Sequence, residues 1–483
     1  MPTDERSPEP EPGQRPGQDD ANSQQNAPSE RVEKKYAAPT TDTPEGRKTI
    51  RNAIGASAMG NATEWFDYGI YAVAVTYITA NFFPTEGGLG TALALATFAI
   101  SFLVRPLGGL VWGPLGDRLG RKAILALTII LMAGATFAIG LLPNYETIGV
   151  WAPILLILLR MVQGFSTGGE YGGAATFMAE YSPDKKRGFF GSFLEFGTLF
   201  GFILGTALVL FFQIVLGEQA MTEWGWRLPF LVAGPMGLIG LYLRTKLEDT
   251  PVFRDLEDHH QEEPNAKTEL RDLVVKYWKP LLTMGGLVVA LNVTNYTLLS
   301  YMPTYLQTEI NLSANNALTL LLVGQLAMMV VIPFAGRLSD KVGRKPMWWA
   351  SLLGLFVAAI PMYLIMRINF STALIGFAVL GLLYVLQLAT ISATFPAMFP
   401  TQVRYAGFAI TYNVSTALFG GTAPLVNDLL IQATGDTLVP AYYMMAACVV
   451  GAVALKFIPE TAGCSIRGTE IPSVERDRAE AAR

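Results

Sequence analysis

The chain alternates between long apolar runs and short polar loops. Twelve runs come close to or exceed the ~20 consecutive apolar residues that a helix needs to cross the hydrocarbon core of a bilayer. They cover residues 54–82, 91–113, 122–142, 151–179, 189–216, 226–244, 280–306, 317–336, 347–366, 372–395, 405–431 and 440–458. This pattern predicts an all-α membrane protein with twelve transmembrane helices.

Two polar segments lie outside these runs. Residues 1–47 are rich in Pro, Glu, Asp, Gln and Ser and have no apolar h-region, which is typical of a disordered tail and not of a cleaved signal peptide. Leu247 to Lys279 is the one long, charge-mixed loop. The predicted organisation is an N-terminal tail over 1–47, a six-helix bundle over 48–246, a linker over 247–279, a second six-helix bundle over 280–458 and a short C-terminal tail over 459–483.

Lys and Arg residues gather in alternate loops. The loops between them carry only Arg227 and Arg367. By the positive-inside rule, we expect a multi-pass protein of the cell (plasma or inner) membrane with both termini and the linker in the cytoplasm. The residues of the basic loops are Arg47, Lys48, Arg51, Arg118, Arg121, Lys122, Lys185, Lys186, Arg187, Arg337, Lys341, Arg344, Lys345 and Arg404.

The two halves of the chain repeat one another. The segment Gly113-Pro114-Leu115-Gly116-Asp117-Arg118-Leu119-Gly120-Arg121-Lys122 corresponds to Gly336-Arg337-Leu338-Ser339-Asp340-Lys341-Val342-Gly343-Arg344-Lys345. Two further pairs recur at similar spacings, namely Arg187 with Arg404 and Glu248 with Glu460. Correspondences at the same places in each half indicate a duplicated unit of six helices.

Composition supports this class and argues against others. Of 483 residues, 51% are hydrophobic and 15% charged, against about 25% charged residues in ordinary soluble domains. A net charge of −4 suggests no nucleic-acid surface. Cys448, Cys464, His259 and His260 have no metal-ligand spacing, so neither a metal nor a cofactor is predicted. The soluble segments carry no nucleophile-base set or phosphate loop, so an enzyme is not predicted.

The first apolar run contains a polar stripe. Asn61, Glu64, Asp67, Tyr68 and Tyr71 recur every three or four residues, so they share one face of a helix. An ionisable side chain at membrane depth is costly and should face a protein interior or a water-filled cavity. Two carboxylates on one face resist being charged together, which suits a proton-coupling site. The alternative is a pair that only packs helices together.

Four further charged side chains inside the apolar runs are candidates for a role. Arg105 is placed towards the cytoplasmic third and Arg160 towards the external third, so we expect them to act at different depths. Each can grip a substrate carboxylate or balance a buried carboxylate of the protein. Glu170, between two Gly pairs, is a candidate for proton or substrate coupling, or for a packed helix seam. Glu195 lies nearer the cytoplasmic end, where a structural role is favoured.

Small residues predict one helix seam. Gly197, Gly201 and Gly205 recur every four residues in the fifth run. Small residues let membrane helices approach closely. We interpret this ridge as structural.

A short loop motif occurs at the same place in both halves. An acid followed by a basic cluster can hold the ends of neighbouring helices together through charge-assisted hydrogen bonds and helix dipoles. The residues are Asp117, Gly120, Arg121 and Lys122 after the second run, and Asp340, Gly343, Arg344 and Lys345 after the eighth. This Asp-x-x-x-Gly-Arg-Lys turn resembles the signature of the major facilitator superfamily. The resemblance implies a gating latch, and the alternative is positive-inside topology alone.

Four longer motifs resemble the metabolite:proton symporters of that superfamily. They are Gly60-Asn61-x-x-Glu64-Trp65-Phe66-Asp67-Tyr68, Phe102-Leu103-Val104-Arg105-Pro106-Leu107-Gly108-Gly109, Gln163-Gly164-Phe165-Ser166-x-Gly168-Gly169-Glu170-Tyr171 and Trp224-Gly225-Trp226-Arg227-x-Pro229-Phe230. The chain looks most like the osmoregulatory proline/glycine betaine:proton symporters. That likeness rests on Glu180 to Phe189, Asn292 to Tyr296 with Tyr301 to Leu306, and Pro440 to Tyr443.

The resemblance implies a secondary active transporter. It would import a zwitterionic osmolyte of the proline or glycine betaine type together with protons, by alternating access. Glu64, Asp67 and Glu170 would then couple protons. We expect a small-molecule substrate, protons and the lipid bilayer as partners, and a monomer.

Aromatic and amide side chains are the remaining candidates for substrate contacts. A quaternary ammonium cannot donate hydrogen bonds, so its binding relies on aromatic faces and a carboxylate. Any one aromatic can equally be a packing or interfacial residue. The candidates are Trp65, Tyr68, Tyr71, Tyr296 and Tyr301 for an aromatic cage, and Asn61, Asn292 and Asn295 as polar groups of the cavity.

Two features depart from that subgroup. After Glu460 there is no heptad pattern of the kind that forms a coiled coil in many of those carriers, so osmotic tuning by that device is not expected. Phe419-Gly420-Gly421-Thr422-Ala423 is closer to α-ketoglutarate and dicarboxylate members. The alternative is therefore proton symport of an organic acid, with Arg105 and Arg160 both binding substrate. A more remote alternative is a transporter-like sensor.

Overall fold

A computed structural model of the chain describes residues 44–85, 88–119, 121–168, 170–248, 273–466 and 471–474. Most of the predicted N-terminal tail and of the linker, including His259 and His260, lies outside these residues. Helix is the only regular secondary structure in the described ranges. The prediction of an all-α protein is confirmed.

Twelve helical segments follow one another along the chain. They are α1 (Pro44–Val73, continued by Val75–Phe82), α2 (Leu89–Leu119), α3 (Arg121–Leu141), α4 (Trp151–Ser166 and Glu170–Tyr181), α5 (Arg187–Leu216), α6 (Arg227–Glu248), α7 (Trp278–Asn295 and Met302–Thr308), α8 (Ala314–Val342), α9 (Arg344–Ile365), α10 (Phe370–Leu388 and Ile391–Thr394), α11 (Arg404–Ser415 and Ala423–Thr434) and α12 (Val439–Lys456). Short helical turns lie between them at Tyr145–Ile148, Asp184–Lys186, Glu218–Ala220, Met221–Gly225, Pro396–Met398 and Thr401–Val403.

Most of these segments are suited to a membrane by length and composition. Nine helices of the described chain are long and apolar enough to span a bilayer, and α3 and α6 contain shorter apolar stretches, Ala126–Leu141 and Arg227–Tyr242. The remaining segment, α1, has the predicted polar stripe at its centre, which lowers its hydropathy. Helix α1 also begins at Pro44, before the predicted bundle boundary at residue 48, because proline is favourable in the first turn of a helix.

The packing of the helices repeats between the two halves. In the first half the contacting pairs are α1 with α5, α1 with α6, α2 with α4, α3 with α4 and α3 with α6. In the second half they are α7 with α11, α7 with α12, α8 with α10, α9 with α10 and α9 with α12. Adding six to each helix number converts one set into the other. This is the packing expected of a duplicated six-helix unit.

The halves meet along α1, α2, α4 and α5 on one side and α7, α8, α10 and α11 on the other. The pairs α5 with α8 and α2 with α11 are equivalent under the repeat, whereas α1 meets its own counterpart, α7. The four helices of each half that form this interface surround the centre of the molecule. Helices α3, α6, α9 and α12 lie outside it.

The glycine ridge of α5 sets the distance between α1 and α5. A Cβ on Gly197 would lie 2.2 Å from the backbone oxygen of Ala58, and one on Gly201 would lie 2.4 Å from that of Ala62. A Cβ on Gly205 would lie 3.0 Å from the nitrogen of Ile70. The prediction of a structural ridge is confirmed. The close approach brings the polar stripe of α1 against the polar residues of α5.

Two π-helical turns interrupt the helices at the interface between the halves. They are Tyr296–Tyr301 in α7 and Thr416–Gly420 in α11. The first contacts α1 and the second contacts α2. Asn292, in the α-helical part of α7, donates to the hydroxyl of Thr416 at 2.9 Å, so α7 is also joined to the π turn of α11. Single π turns often occur at functional sites.

Candidate functional site

The polar stripe of α1 points into the protein. Asn61, Glu64, Asp67, Tyr68 and Tyr71 are all 5% exposed or less. Asn61 faces α5, where its amide nitrogen donates to the carbonyl of Leu194 at 2.9 Å and to the hydroxyl of Thr198 at 2.6 Å. Tyr71 faces α2 and donates to the carbonyl of Ala94 at 3.0 Å. The stripe therefore joins α1 to the neighbouring helices.

Glu64 is held by an ion pair. Arg105 of α2 donates from Nη2 to Oε1 of Glu64 at 2.7 Å, and both side chains are almost completely buried. The Nε of Arg105 lies 3.3 Å from the hydroxyl of Tyr68, and its guanidinium carbon lies 4.6 Å from the centre of that ring. Arg105 thus balances the charge of Glu64, one of the two roles expected for it.

Arg160 of α4 has a different environment. It donates to Oε1 of Gln163 at 2.8 Å and to the hydroxyl of Ser101 at 3.0 Å, and its guanidinium carbon lies 4.1 Å from the centre of the Tyr71 ring. Its Nε has no partner among the described residues. Asp67 lies close enough to Arg160 and Thr136 to interact electrostatically, yet its Oδ2 has no hydrogen bond in the described chain.

The two arginines meet at one tyrosine. The guanidinium carbon of Arg105 is 4.6 Å from the centre of the Tyr68 ring, and that of Arg160 is 5.4 Å from it. Arg105 also bonds to Glu64, one turn before Tyr68 on α1, whereas Arg160 lies over Tyr71, about one turn after it. The two arginines therefore share one ring, and the expectation that they act at different depths stays a prediction.

Aromatic rings from both halves contact one another next to these charged groups. Tyr296, in the π turn of α7, lies 5.1 Å from Phe102 and 6.1 Å from Trp65, measured between ring centres. Trp65 lies 6.0 Å from Tyr68. The structure therefore brings three members of the predicted cage together. Tyr71 and Tyr301 stay outside the group: Tyr71 covers Arg160, and the Tyr301 ring lies 6.2 Å from that of Tyr305, between ring centres.

A small cavity lies between the halves. Its volume of about 10 Å³ is room for about one water molecule. The lining residues are Trp65, Glu195, Thr198, Leu291, Asn292, Asn295, Tyr384, Leu388, Ile391 and Tyr412. Both halves contribute, and three of these residues, Trp65, Asn292 and Asn295, were predicted to face a substrate. A ligand larger than water requires the halves to move apart.

Glu195 lines this cavity, which the sequence interpretation did not expect of it. It lies in the third turn of α5, nearer the helix end at which it was predicted. Its Oε1 accepts a hydrogen bond from the hydroxyl of Tyr171, and its Oε2 accepts one from Thr198 at 3.0 Å. Thr198 in turn accepts from Asn61, whose oxygen accepts from Nε1 of Trp65 at 3.1 Å. No local pattern indicated the cavity, because residues of α7, α10 and α11 complete it.

The amides of α7 complete the cavity on the side of the second half. Asn292 donates to Thr416, and Asn295 accepts from the hydroxyl of Tyr384 at 2.9 Å through Oδ1. Both amides are buried. The amide nitrogen of Asn295 has no acceptor among the described residues, so it is available to a ligand in the cavity.

A second site lies at the helix ends that carry Arg187, Arg344 and Arg404, here called the basic end. Asp340, at the end of α8, accepts hydrogen bonds from the backbone nitrogens of Gly188 and Phe189, both at 2.8 Å. It also accepts from Nη2 of Arg344 at 2.7 Å. A carboxylate of the second half thus caps the N-terminus of α5 in the first half, where the helix dipole favours negative charge.

The rest of this motif organises the start of α9. Gly343 ends α8 with a φ of 109°, a conformation that favours glycine. Glu460 accepts from the backbone nitrogens of Arg344 and Lys345, both at 2.9 Å. Asp340 and Arg344 therefore join helices through side chains, whereas Lys345 takes part through its backbone.

Arg187 and Arg404 hold the segment that follows α12. Nη1 of Arg187 donates to the carbonyl of Cys464 at 3.2 Å, and Nη2 of Arg404 donates to the carbonyl of Ile466. Nη1 of Arg404 also pairs with Glu180 of α4 at 2.6 Å. Each loop arginine of the repeat thus binds the same short stretch of backbone.

Several predicted residues lie outside the described part of the chain. Gly120 is not described. The backbones of α2, α3 and α4 include Asp117, Arg121, Lys122 and Glu170, but their side chains lie outside the description. Nothing here tests their predicted roles.

At the opposite end the halves also touch. Gln432 of α11 donates to the carbonyl of Gly88 at 3.0 Å, and Thr76 of α1 lies 3.4 Å from Oε1 of Gln307. The central cavity is therefore bounded by contacts between the halves at both ends. This arrangement corresponds to an occluded state.

Comparison with known sequences gives consistent matches over most of the chain. The family model described as Major Facilitator Superfamily matches residues 58–424. The glycine betaine/proline/ectoine/pipecolic acid transporter OusA of Dickeya dadantii is 44% identical over 87% of this chain and 85% of its own length. The proline/betaine transporter of Escherichia coli K12 is 43% identical over the same shares, and the ectoine/proline transporter ProP of Corynebacterium glutamicum is 42% identical over 89% and 87%.

Solved structures support the fold. A partially occluded inward-open structure of the xylose transporter XylE from E. coli matches with a TM-score of 0.68 at 17% identity, over 86% of this chain and all of that one. A crystal structure of the D-xylose-proton symporter matches with a TM-score of 0.65 at 18% identity. Together with the named relatives, these matches confirm the predicted twelve-helix architecture and a transporter in place of an enzyme. The chain belongs to the Major Facilitator Superfamily and is a multi-pass membrane transporter that most resembles the proline/betaine carriers.

Proposed function

We propose that this protein is a secondary active transporter that imports a zwitterionic osmolyte of the proline or glycine betaine type together with protons. The observation that carries the proposal is the enclosed cavity between the halves, where a buried carboxylate faces aromatic rings and amides. The names of the relatives support the same substrate class.

The charges around the cavity favour a zwitterion over a dicarboxylate. The one ionisable acid or base that lines it is Glu195, because the tyrosines are neutral at ordinary pH. Arg105 is bonded to Glu64, and Arg160 to Gln163 and Ser101. A dicarboxylate in this cavity would face a carboxylate and find both arginines engaged, which is electrostatically unfavourable.

Asp67 is the strongest candidate for carrying the proton. It is buried, it has an oxygen without a hydrogen bond in the described chain, and it lies near Arg160. Protonation would release it from that arginine, and Arg160 would then be free to rearrange. The ion pair of Glu64 and Arg105 would then rearrange in turn, because Arg105 and Arg160 both contact Tyr68. Glu170 remains a candidate from its place at the start of the second part of α4.

Transport would follow alternating access, with the halves rocking about the central cavity. Asp340 and its bonds to α5 would hold the basic end closed, while the contacts of Gln432 and Thr76 would hold the opposite end closed. By the repeat, Asp117 would act on α11 as Asp340 acts on α5. The excess of Lys and Arg favours a cytoplasmic position for the basic end and for both termini, in the cell membrane.

The test is uptake into proteoliposomes under an imposed inward proton gradient. Labelled glycine betaine, proline and α-ketoglutarate are compared with and without an uncoupler. We expect betaine or proline uptake that the uncoupler abolishes. Asp67→Asn should lose uptake that depends on the gradient, whereas Glu146→Gln, a surface carboxylate change, should match the parent.

Each alternative has its own result. Uptake of α-ketoglutarate alone would move the substrate to the organic acids. Uptake that does not respond to the uncoupler would contradict proton symport. Full gradient-driven uptake by Asp67→Asn would contradict the role given to Asp67.

A further inference from the structure

The carboxylate of Glu195 has a setting that no other described buried acid shares. It is 2% exposed, lies in the third turn of α5 and faces the cavity between the halves. Its hydrogen bonds come from two neutral hydroxyls, those of Tyr171 and Thr198. No Lys or Arg of the described chain lies within ion-pair distance of it. Its hydrogen bonds hold it in place but leave its charge without a counter-ion.

The other buried acids of the described chain each have an ion-pair partner, a nearby arginine or an amide donor. Glu64 has Arg105 and Asp340 has Arg344 as ion-pair partners. Asp67 lies in the field of Arg160, and Asp428 accepts from the amide of Gln432 at 2.6 Å. None of these four lines the cavity. A buried charge without a partner is costly, so the setting of Glu195 is explained if a cationic ligand supplies the missing charge.

Aromatic rings surround the same point. Tyr412 and Tyr384 of the second half and Trp65 of the first line the cavity with Glu195. Tyr171, which donates to Glu195, stacks on Tyr412 with 4.4 Å between ring centres. Aromatic faces attract a quaternary ammonium that has no hydrogen to donate. A carboxylate and three rings form a suitable binding site for such a cation.

We propose that Glu195, with Trp65, Tyr384 and Tyr412, forms the subsite that binds the ammonium end of the transported zwitterion. The available amide nitrogen of Asn295 binds the carboxylate end. This inference rests on the proposed function, because it concerns how that substrate is recognised. It also separates the two tasks of the site: Glu195 recognises the substrate, and Asp67 carries the proton.

The subsite also couples binding to closure. Glu195 and Trp65 belong to the first half, whereas Tyr384, Tyr412 and Asn295 belong to the second. A zwitterion bound between them attracts both halves, so its presence favours the occluded arrangement. The empty site leaves the charge of Glu195 facing only the hydroxyls that fix it.

The experiment is counterflow without a proton gradient, in proteoliposomes preloaded with unlabelled glycine betaine. Exchange of labelled betaine is challenged from outside with betaine or with 3,3-dimethylbutanoate, which has the same shape and carboxylate but no positive charge. In the parent we expect betaine to compete about 10- to 100-fold better than this isostere, whose quaternary carbon is uncharged, because only the cation gains from the aromatic faces and from the carboxylate of Glu195.

In Glu195→Gln we expect the half-saturating betaine concentration to rise by a similar factor and the preference over the isostere to disappear. Glu195→Asp keeps the charge and should keep the preference, although binding weakens because the shorter side chain withdraws from the rings. Glu146→Gln, a change of an exposed carboxylate, should match the parent in both exchange and preference.

Three results would overturn the inference. The first is a parent that accepts the isostere as well as betaine, a result that needs no variant. The second is a Glu195→Gln variant that keeps its preference in counterflow and loses gradient-driven accumulation, which would make Glu195 a proton carrier. The third is a loss of all exchange in both Glu195→Gln and Glu195→Asp although both elute as monodisperse protein, which would indicate a structural role. By contrast, a parent that takes up neither betaine nor proline would contradict the proposed function itself.

Discussion

Glu64 and Arg105 are a buried ion pair whose members depend on each other. Taking two charges out of water is costly, and the attraction between them repays this cost only when the geometry is good. Their separation of 2.7 Å and the added contacts of Arg105 with Tyr68 meet that condition. The pair therefore stabilises the fold only while both members are present.

Replacing one member should cost more than replacing both. Arg105→Gln leaves the carboxylate of Glu64 without its cation, so we expect a loss of about 3–5 kcal/mol in the free energy of unfolding. The double variant Glu64→Gln with Arg105→Gln should recover most of that loss, although transport should remain impaired. Thermal unfolding in detergent and uptake in proteoliposomes measure the two effects. A single variant as stable as the parent would show that the pair adds nothing.

For single residues, the sequence predicted positions best where they depend on spacing along one helix. The spacing along one helix was enough to predict that Asn61, Glu64 and Asp67 share a face. It was not enough to predict that Arg105 and Arg160 meet at Tyr68, because that depends on side-chain reach across three helices. The sequence also did not show that Glu195 faces a cavity, because α7, α10 and α11, far away in the sequence, complete that cavity.

At the scale of the helices, the seam between α1 and α5 fixes the site. Its glycines allow a backbone separation that no side chain would permit, and this separation lets Asn61 reach Thr198. The spacing of the glycines predicted the seam. The π turns of α7 and α11 had no comparable signal, because their sequences are compatible with an ordinary helix.

The seam should not tolerate even one methyl group. Gly197→Ala places a Cβ 2.2 Å from a backbone oxygen of α1, so the helices must separate. We expect a loss of about 1–3 kcal/mol in stability from overpacking. Gly134→Ala is the matched control, since a Cβ there meets nothing within 4 Å. Equal melting temperatures for the two variants would contradict the close packing of α1 and α5.

The latch at Asp340 can be tested with a cysteine that the protein already has. Cys464 is buried at the basic end, so its thiol should react slowly with a maleimide while that end is closed. Asp340→Asn removes the charge that binds α5 and Arg344. A loss of about 1 kcal/mol should raise the labelling rate about fivefold.

This measurement is made in a Cys448→Ala background. Asp436→Asn is its control, because Asp436 also accepts from a backbone nitrogen at a helix start, that of Leu438, but at the opposite end. We expect parental labelling for this control. An unchanged rate in Asp340→Asn would show that its bonds do not hold the basic end closed.

At the scale of the whole molecule, the duplication was the most informative feature of the sequence. The repeated motifs predicted two six-helix units, and the two sets of packed helix pairs agree with that prediction. What the repeat could not supply is the relative position of the halves. That position depends on contacts such as Gln432 with Gly88 and Asp340 with α5, which join residues far apart in the chain.

The segment after α12 is a short tether between two loop arginines, Arg187 and Arg404. Arg187 belongs to the first half and Arg404 to the second, and the carbonyls they bind belong to Cys464 and Ile466. Two residues of fully extended chain span about 7 Å. The two carbonyls cannot lie farther apart than this span, so a greater separation of the arginines must break one of the bonds.

Separation of the halves at the basic end and release of this segment are therefore one event. A fluorophore attached at Val474 should gain rotational freedom whenever that end opens, and should keep it in an Arg187→Gln, Arg404→Gln double variant. Anisotropy that stays constant while the basic end opens would mean that the tether moves with one half.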